Sequence, residues 1–170
     1  MLLTIEDRFD GDITQESEIQ SQYYSGYVQN RWEISPKWNT TARLRASYYT
    51  SGEHFRLEPR FQLEYRPTAD LRLQTGYGRY YQFLTLISNE AFSGFDLWLL
   101  TDEGVPPAYG DQFLAGAKWN PVEEWTFELE AYYRNMRQLF EFDPRIPDTA
   151  GLDYNELFRF GEGYAFGAEI

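Results

Sequence analysis

Residues 55–66 read FRLEPRFQLEYR, 67–70 read PTAD, and 71–83 read LRLQTGYGRYYQF. In the first arm Phe55, Leu57, Pro59, Phe61, Leu63 and Tyr65 take the odd positions, and Arg56, Glu58, Arg60, Gln62, Glu64 and Arg66 the even ones. Successive side chains of a strand point to opposite faces, so unbroken alternation marks a strand with one apolar and one polar face. A helix would scatter the same apolar residues round its circumference and is excluded. The second arm continues the pattern, with Leu71, Leu73, Thr75 and Tyr77 against Arg72, Gln74, Gly76 and Gly78. The two arms form a hairpin through PTAD. Its apolar face needs either a protein core or lipid.

The totals narrow that choice. The chain has 170 residues, a formal charge of −12 and no Cys. An acidic surface repels phosphate, so nucleic acid is not an expected partner. Disulfides and thiolate metal sites are excluded. Mean hydropathy is −0.60, and no apolar run is long enough for a transmembrane helix. A membrane barrel stays open, because the residues facing its polar interior dilute the average. Aromatic residues, 19% of the chain, suit strands and interfaces. Glu6, Asp7 and Asp10 follow the N-terminal Met-Leu-Leu too closely for a signal peptide.

The same alternation runs through most of the chain. Residues 1–16 read as an acidic loop, and strands are expected at about 17–35, 41–50, 55–66, 71–83, 111–120, 125–141 and 161–170. The fold expected is all-β: an antiparallel up-and-down meander of about seven long strands, a partial transmembrane β-barrel. Short turns at 36–40, 67–70 and 121–124 alternate with connections at 51–54, 84–110 and 142–160. The last two are long, and a short helix is one expectation within 84–110. Tight turns on one side and long loops on the other is an outer-membrane barrel layout.

Aromatic placement points the same way. Trp32, Trp38, Trp119 and Trp125 lie near the short turns, whereas Tyr48, Tyr81 and Tyr133 sit in doublets toward the other strand ends. Indole and phenol rings favour the headgroup level, giving two girdles. A strand of about 12 residues at ~3.3 Å each, tilted ~45°, crosses roughly 28 Å, close to the hydrocarbon thickness. The competing reading is a soluble β-rich binding module, whose strands would average nearer five or six residues.

Six segments carry a resemblance. GYVQNRW (26–32), LEPRFQLEYR (57–66), GYGRYYQF (76–83), DQFLAGAKW (111–119), ELEAYYRNMRQLFEF (128–142) and GEGYAFGAE (161–169) follow one another in the order found in barrel domains of TonB-dependent outer-membrane receptors, which the chain resembles over roughly 20–170. The resemblance implies a barrel of about 22 strands enclosing an N-terminal plug. It also implies a cell outer membrane location in a Gram-negative bacterium. The implied function is TonB-dependent active uptake of a scarce ligand such as a siderophore, cobalamin or a glycan. Implied partners are the lipid bilayer, the rest of the barrel, the plug, and TonB through an N-terminal part. No plug domain or TonB box is read here, and Ile170 falls mid-pattern, so the expectation is a fragment of a larger barrel. A diffusion porin or other outer-membrane barrel is the alternative membrane reading.

Candidate site residues follow from this picture. Arg56, Glu58, Arg60, Glu64, Arg72 and Arg79 are read as a lumen wall, in which alternating charge forms a cross-strand ladder. Phe95, Asp96, Trp98, Asp102 and Glu103 in the first long connection are the ligand-contact candidates, since loops on a rigid scaffold commonly carry binding. No catalytic set is read. His54 is the sole histidine and stands in a turn, so neither a metal site, a cofactor nor an enzyme activity is expected.

Overall fold

The structure, a computed structural model, describes residues 21–88, 96–142 and 158–170; for 86–88, 96–99 and 142 only the backbone is described. Nine strands run through these residues: β1 (Tyr23–Ser35), β2 (Trp38–Tyr49), β3 (His54–Tyr65), β4 (Leu71–Gln82), β5 (Leu84–Ser88), β6 (Asp96–Leu100), β7 (Ala108–Val122), β8 (Trp125–Phe142) and β9 (Phe158–Glu169). Seven form one antiparallel sheet in the order β1-β2-β3-β4-β7-β8-β9, and β5 and β6 form a separate hairpin. The long strands are 12 to 18 residues, two to three times the usual soluble length. Among the described residues the sheet is an open meander, not a closed barrel.

The register extends the parity of the opening hairpin across the whole sheet. Phe61 faces Tyr77, Leu63 faces Thr75 and Tyr65 faces Leu73. Leu73 is opposite Ala117 and Tyr77 opposite Phe113, and these lead on to Leu129 and Tyr133. On the other side Leu57 pairs with Ala46 and Phe61 with Ala42. Directly opposed residues share a face. Leu57, Phe61, Leu63, Leu73, Phe127 and Leu129 therefore lie on one face. The other face carries Arg43, Arg45, Glu58, Arg60, Gln62, Gln74, Gln112, Lys118, Glu128 and Glu130.

Three local features depart from the sequence reading. The long connection after Phe83 holds the hairpin β5–β6, paired from Leu84↔Leu100 to Ser88↔Asp96, where irregular chain or a short helix was expected. Its LTLIS and DLWLL arms carry no polar–apolar alternation, so the period-2 test passes over them. Trp38 begins β2 instead of closing the turn, because its ring stacks on Tyr65 at 4.1 Å and 21°. Gln138 adopts φ 54 at a register shift between Arg137 and Leu139. Such an extra residue reverses side-chain parity above it, bringing Phe140 opposite Phe160, with ring centroids 6.3 Å apart.

Little of the described structure is buried. The buried apolar side chains are Tyr49, Val105, Pro107, Ala108 and Phe158. Phe55, Leu57, Phe61, Phe127 and Leu129 are each about half exposed, between 45% and 56%. Among the described residues no second layer covers the apolar face, although water-soluble domains bury such a face against another layer.

Candidate functional site

The polar face is built round Glu58. Its side chain is only 5% exposed, with Arg60 Nη2 at 3.1 Å and Arg45 Nε at 3.8 Å, while Ser47 Oγ donates to Oε1 at 3.0 Å. Ser47 also bonds Tyr23 Oη, which accepts from Arg45 Nη2 at 2.9 Å. A buried carboxylate is tolerated only when charges and hydrogen bonds meet it from several sides. Toward the short turns, Glu64 takes Arg66 at 2.9 Å and Arg72 at 3.9 Å. Arg56 bonds the Phe55 carbonyl and sits 3.4 Å from His54 Nδ1. Five of the six proposed wall residues thus share one face.

Arg79 does not. An odd separation from Arg72 reverses the side in a continuous strand, and the register places Arg79 opposite Asp111 on the face of Leu71, Leu73 and Tyr77. The expectation that Arg79 continues the Arg72 wall is corrected accordingly. Its charge is met there by Asp111, which accepts from Arg79 Nε at 2.8 Å, from Arg79 Nη2 at 2.7 Å and from the Tyr77 hydroxyl at 2.7 Å. The fork-to-carboxylate geometry is the strong form of this interaction.

The long connection is clamped to the turn between β2 and β3. His54, 9% exposed, lies with Nε2 2.8 Å from the Asp102 carbonyl oxygen. Gly52 has φ 73, and a Cβ there would lie 2.5 Å from the Asp102 carbonyl carbon. Only glycine combines that dihedral with so close an approach. Asp102 Oδ1 accepts from the amides of Gly104 and Val105, both at 2.8 Å, as short polar side chains do in turns. Thr101 N donates to the Phe83 carbonyl at 3.1 Å, and the Phe83 ring lies 5.4 Å from both Tyr23 and Tyr49. Both tyrosines have polar-face parity, so the base of the hairpin leans over that face.

Of the ligand-contact candidates, Asp102 has a structural task and Glu103 is exposed. Asp96 and Trp98 lie on β6, where only the backbone is described, and Phe95 lies outside the described residues. Gly52 and His54 are the positions sequence reasoning missed. A lone histidine after a Ser-Gly turn is the only local signal, and its partner is far along the chain.

The aromatic residues occupy the apolar face at both strand ends. Trp32, Trp38, Trp119 and Trp125 stand by the short turns, with Trp125 stacked on Phe127 at 6.0 Å and Trp119 Nε1 donating to Asp70 at 3.1 Å. Hydrogen bonds from Thr68, from the residue's own backbone amide and from Trp119, in that order, hold the Asp70 carboxyl below its ordinary range. Tyr48 is opposite Phe55, Tyr81 opposite Tyr109 and Tyr133 opposite Phe113.

The family described as TonB dependent receptor-like, beta-barrel matches residues 4–170. The chain belongs to that family. Solved receptor structures share its fold. The siderophore receptor PirA from Pseudomonas aeruginosa superposes with a TM-score of 0.67 at 12% identity, covering 87% of this chain and 30% of that one. A mutant of the ferric enterobactin receptor PfeA from the same organism gives 0.66 at 15% identity, covering 97% and 27%. This TonB-dependent receptor barrel segment therefore spans under a third of the receptors it superposes on. No curated protein sequence matches it.

Proposed function

We propose that this chain forms part of the barrel wall of an outer-membrane receptor that imports an iron–siderophore complex by TonB-dependent active transport. The observation that carries the reading is the uncovered apolar face of a long-stranded sheet, bounded by aromatic rings at both ends. Hydrocarbon supplies the missing layer, and the antiparallel ladders satisfy the backbone between neighbouring strands, leaving the edges of β1 and β9 to the rest of the barrel. In this arrangement the Arg56, Glu58, Arg60, Glu64 and Arg72 face lines the lumen and meets a plug. The turns at 36–37, 66–70 and 123–124 are periplasmic, and the connections at 50–53, 83–107 and 143–157 are extracellular. Ligand first meets the β5–β6 hairpin, with Phe95, Asp96, Trp98 and Glu103 as contact candidates and Asp102 holding the hairpin base. Iron–siderophore cargo is favoured by the receptors named above, one for siderophore and one for ferric enterobactin. In uptake, the barrel residues position and admit, and no bond of the cargo is broken.

The test is uptake of labelled ferric siderophores by cells producing the whole receptor, with and without a protonophore. Accumulation above the external concentration that collapses with the proton-motive force is expected. Equilibration unaffected by the protonophore would contradict active transport and favour a diffusion pore.

A further inference from the structure

Arg43 and Arg60 stand directly opposite each other in the β2–β3 ladder, about midway along both strands and away from the extracellular connections. Like charges directly opposed on one face of a sheet destabilise the pair unless something lies between them. Arg60 has one guanidinium nitrogen on Glu58 at 3.1 Å, and its face lies 4.4 Å above the Tyr80 ring. Its Nε is buried with no hydrogen-bond partner. Arg43 is exposed, and among the described residues its guanidinium meets no carboxylate and makes no hydrogen bond. Glu58 is already shared by Arg45, Arg60 and Ser47. The immediate group of Arg43, Arg45, Arg60 and Glu58 is therefore locally positive in a chain whose total is −12.

The surroundings are a built recess and not a flat wall. Arg43 and Arg60 line a hollow of about 270 Å³ with Gln62, Gln74, Tyr80, Gln112 and Glu130. The same two arginines line a second hollow, of about 470 Å³, with Tyr27 and Gln29. They form the ridge between the two, flanked by the amides of Gln29, Gln62 and Gln112, while Gln74 Nε2 donates to Glu130 at 3.3 Å. We propose that this ridge is an oxyanion site, in which a carboxylate or phosphate group bridges the Arg43 and Arg60 guanidinium groups. Planar guanidinium forks match such groups better than any other side chain. The anion's source is either a diffusible solute or an Asp or Glu side chain of polypeptide enclosed by the barrel. The assignment rests on register and guanidinium partners, and it stands whichever nutrient is carried.

The experiment uses the whole receptor containing this chain, purified in detergent, and follows the urea unfolding midpoint. Inorganic phosphate replaces chloride at constant ionic strength, in wild type, Arg43→Gln and Arg31→Gln. Arg31 lies on the same face with Thr41, not an arginine, opposite it. A diffusible anion gives a phosphate-dependent rise in wild type and Arg31→Gln that Arg43→Gln loses. A carboxylate of enclosed polypeptide gives no phosphate dependence, but Arg43→Gln alone lowers the midpoint. The proposal is overturned if phosphate has no effect while Arg43→Gln leaves the midpoint unchanged or raises it, as relief of bare repulsion would. Equal loss in both variants would also overturn it, since that is general charge screening. None of these readings depends on transport.

Discussion

Asp111 accepts both prongs of the Arg79 fork and the Tyr77 hydroxyl on the face of Leu73 and Tyr77, at the end nearest the long connections, where Asn135, Arg137 and Glu162 share that face. Removing one member leaves the other charge short of partners. With Arg79 36% exposed, solvent screening keeps the effect modest: Arg79→Gln is expected to destabilise the receptor by roughly 1 kcal/mol, read from urea unfolding in micelles. Phe113→Leu, beside the pair on the same strand, is the comparison that keeps charge constant. At the opposite end, Asp70 has a lowered carboxyl pKa through Thr68, its own amide and Trp119. A depressed folded-state pKa contributes stability that is fully present above the unfolded value, near pH 4, and is lost as pH falls through the folded value. Asp70→Asn is therefore expected to flatten the stability profile below about pH 4 and leave its shape above that unchanged. Parity made the faces of Leu57, Phe61 and Leu73 legible from sequence. The same parity contains the true side of Arg79, an odd separation from Arg72, although its charge suggests the polar face. That Asp111 would meet it was not legible, since the pairing of β4 with β7 spans the whole hairpin insertion.

At the scale of elements, the β3–β4 hairpin and the β5–β6 hairpin were legible to different degrees for a physical reason. β3 and β4 separate two environments, so their sequence alternates; β5 and β6 read LTLIS and DLWLL and do not announce their pairing. The clamp at their base joins residues 48 apart and depends on a backbone carbonyl, which no residue type reports. The Gln138 bulge is likewise silent, because glutamine is no specific marker of positive φ. Gly52→Ala is expected to strain the φ 73 turn and drive Cβ into the Asp102 carbonyl. A local penalty of about 1–3 kcal/mol falls on the clamp, so limited proteolysis should cut within 83–107 faster while the barrel stays folded. Unchanged cleavage would show that the hairpin base is held by other contacts. In β8, Leu129 lies midway between Trp125 and Tyr133 on the apolar face. Leu129→Arg is expected to cost about 2–4 kcal/mol in a bilayer. Glu130→Arg, on the other face, is expected to stay within about 1 kcal/mol. Equal costs would mean that both faces meet the same medium.

At the scale of the whole molecule, seven strands form a wall that, among the described residues, has a free edge on β1 and on β9. Such edges require partners in hydrocarbon, consistent with a segment that covers 27% of the PfeA receptor chain. The order of the long strands and the division into two faces follow from short-range pattern repeated many times, whereas the family rests on the resemblance of six segments and on the family match. Cargo does not, because contact residues on connections answer to no such period. The central claim is that the Phe55–Tyr65 apolar face meets lipid and the Arg56–Glu64 face meets water. The direct measurement is a nitroxide scan of positions 55–65 in the whole receptor in bilayers, comparing collisions with oxygen and with a water-soluble nickel chelate. Oxygen accessibility peaking at 55, 57, 59, 61, 63 and 65, with nickel accessibility peaking at the even positions, is the expected result. Loss of the period of two, or oxygen maxima at the even positions, would contradict the claim.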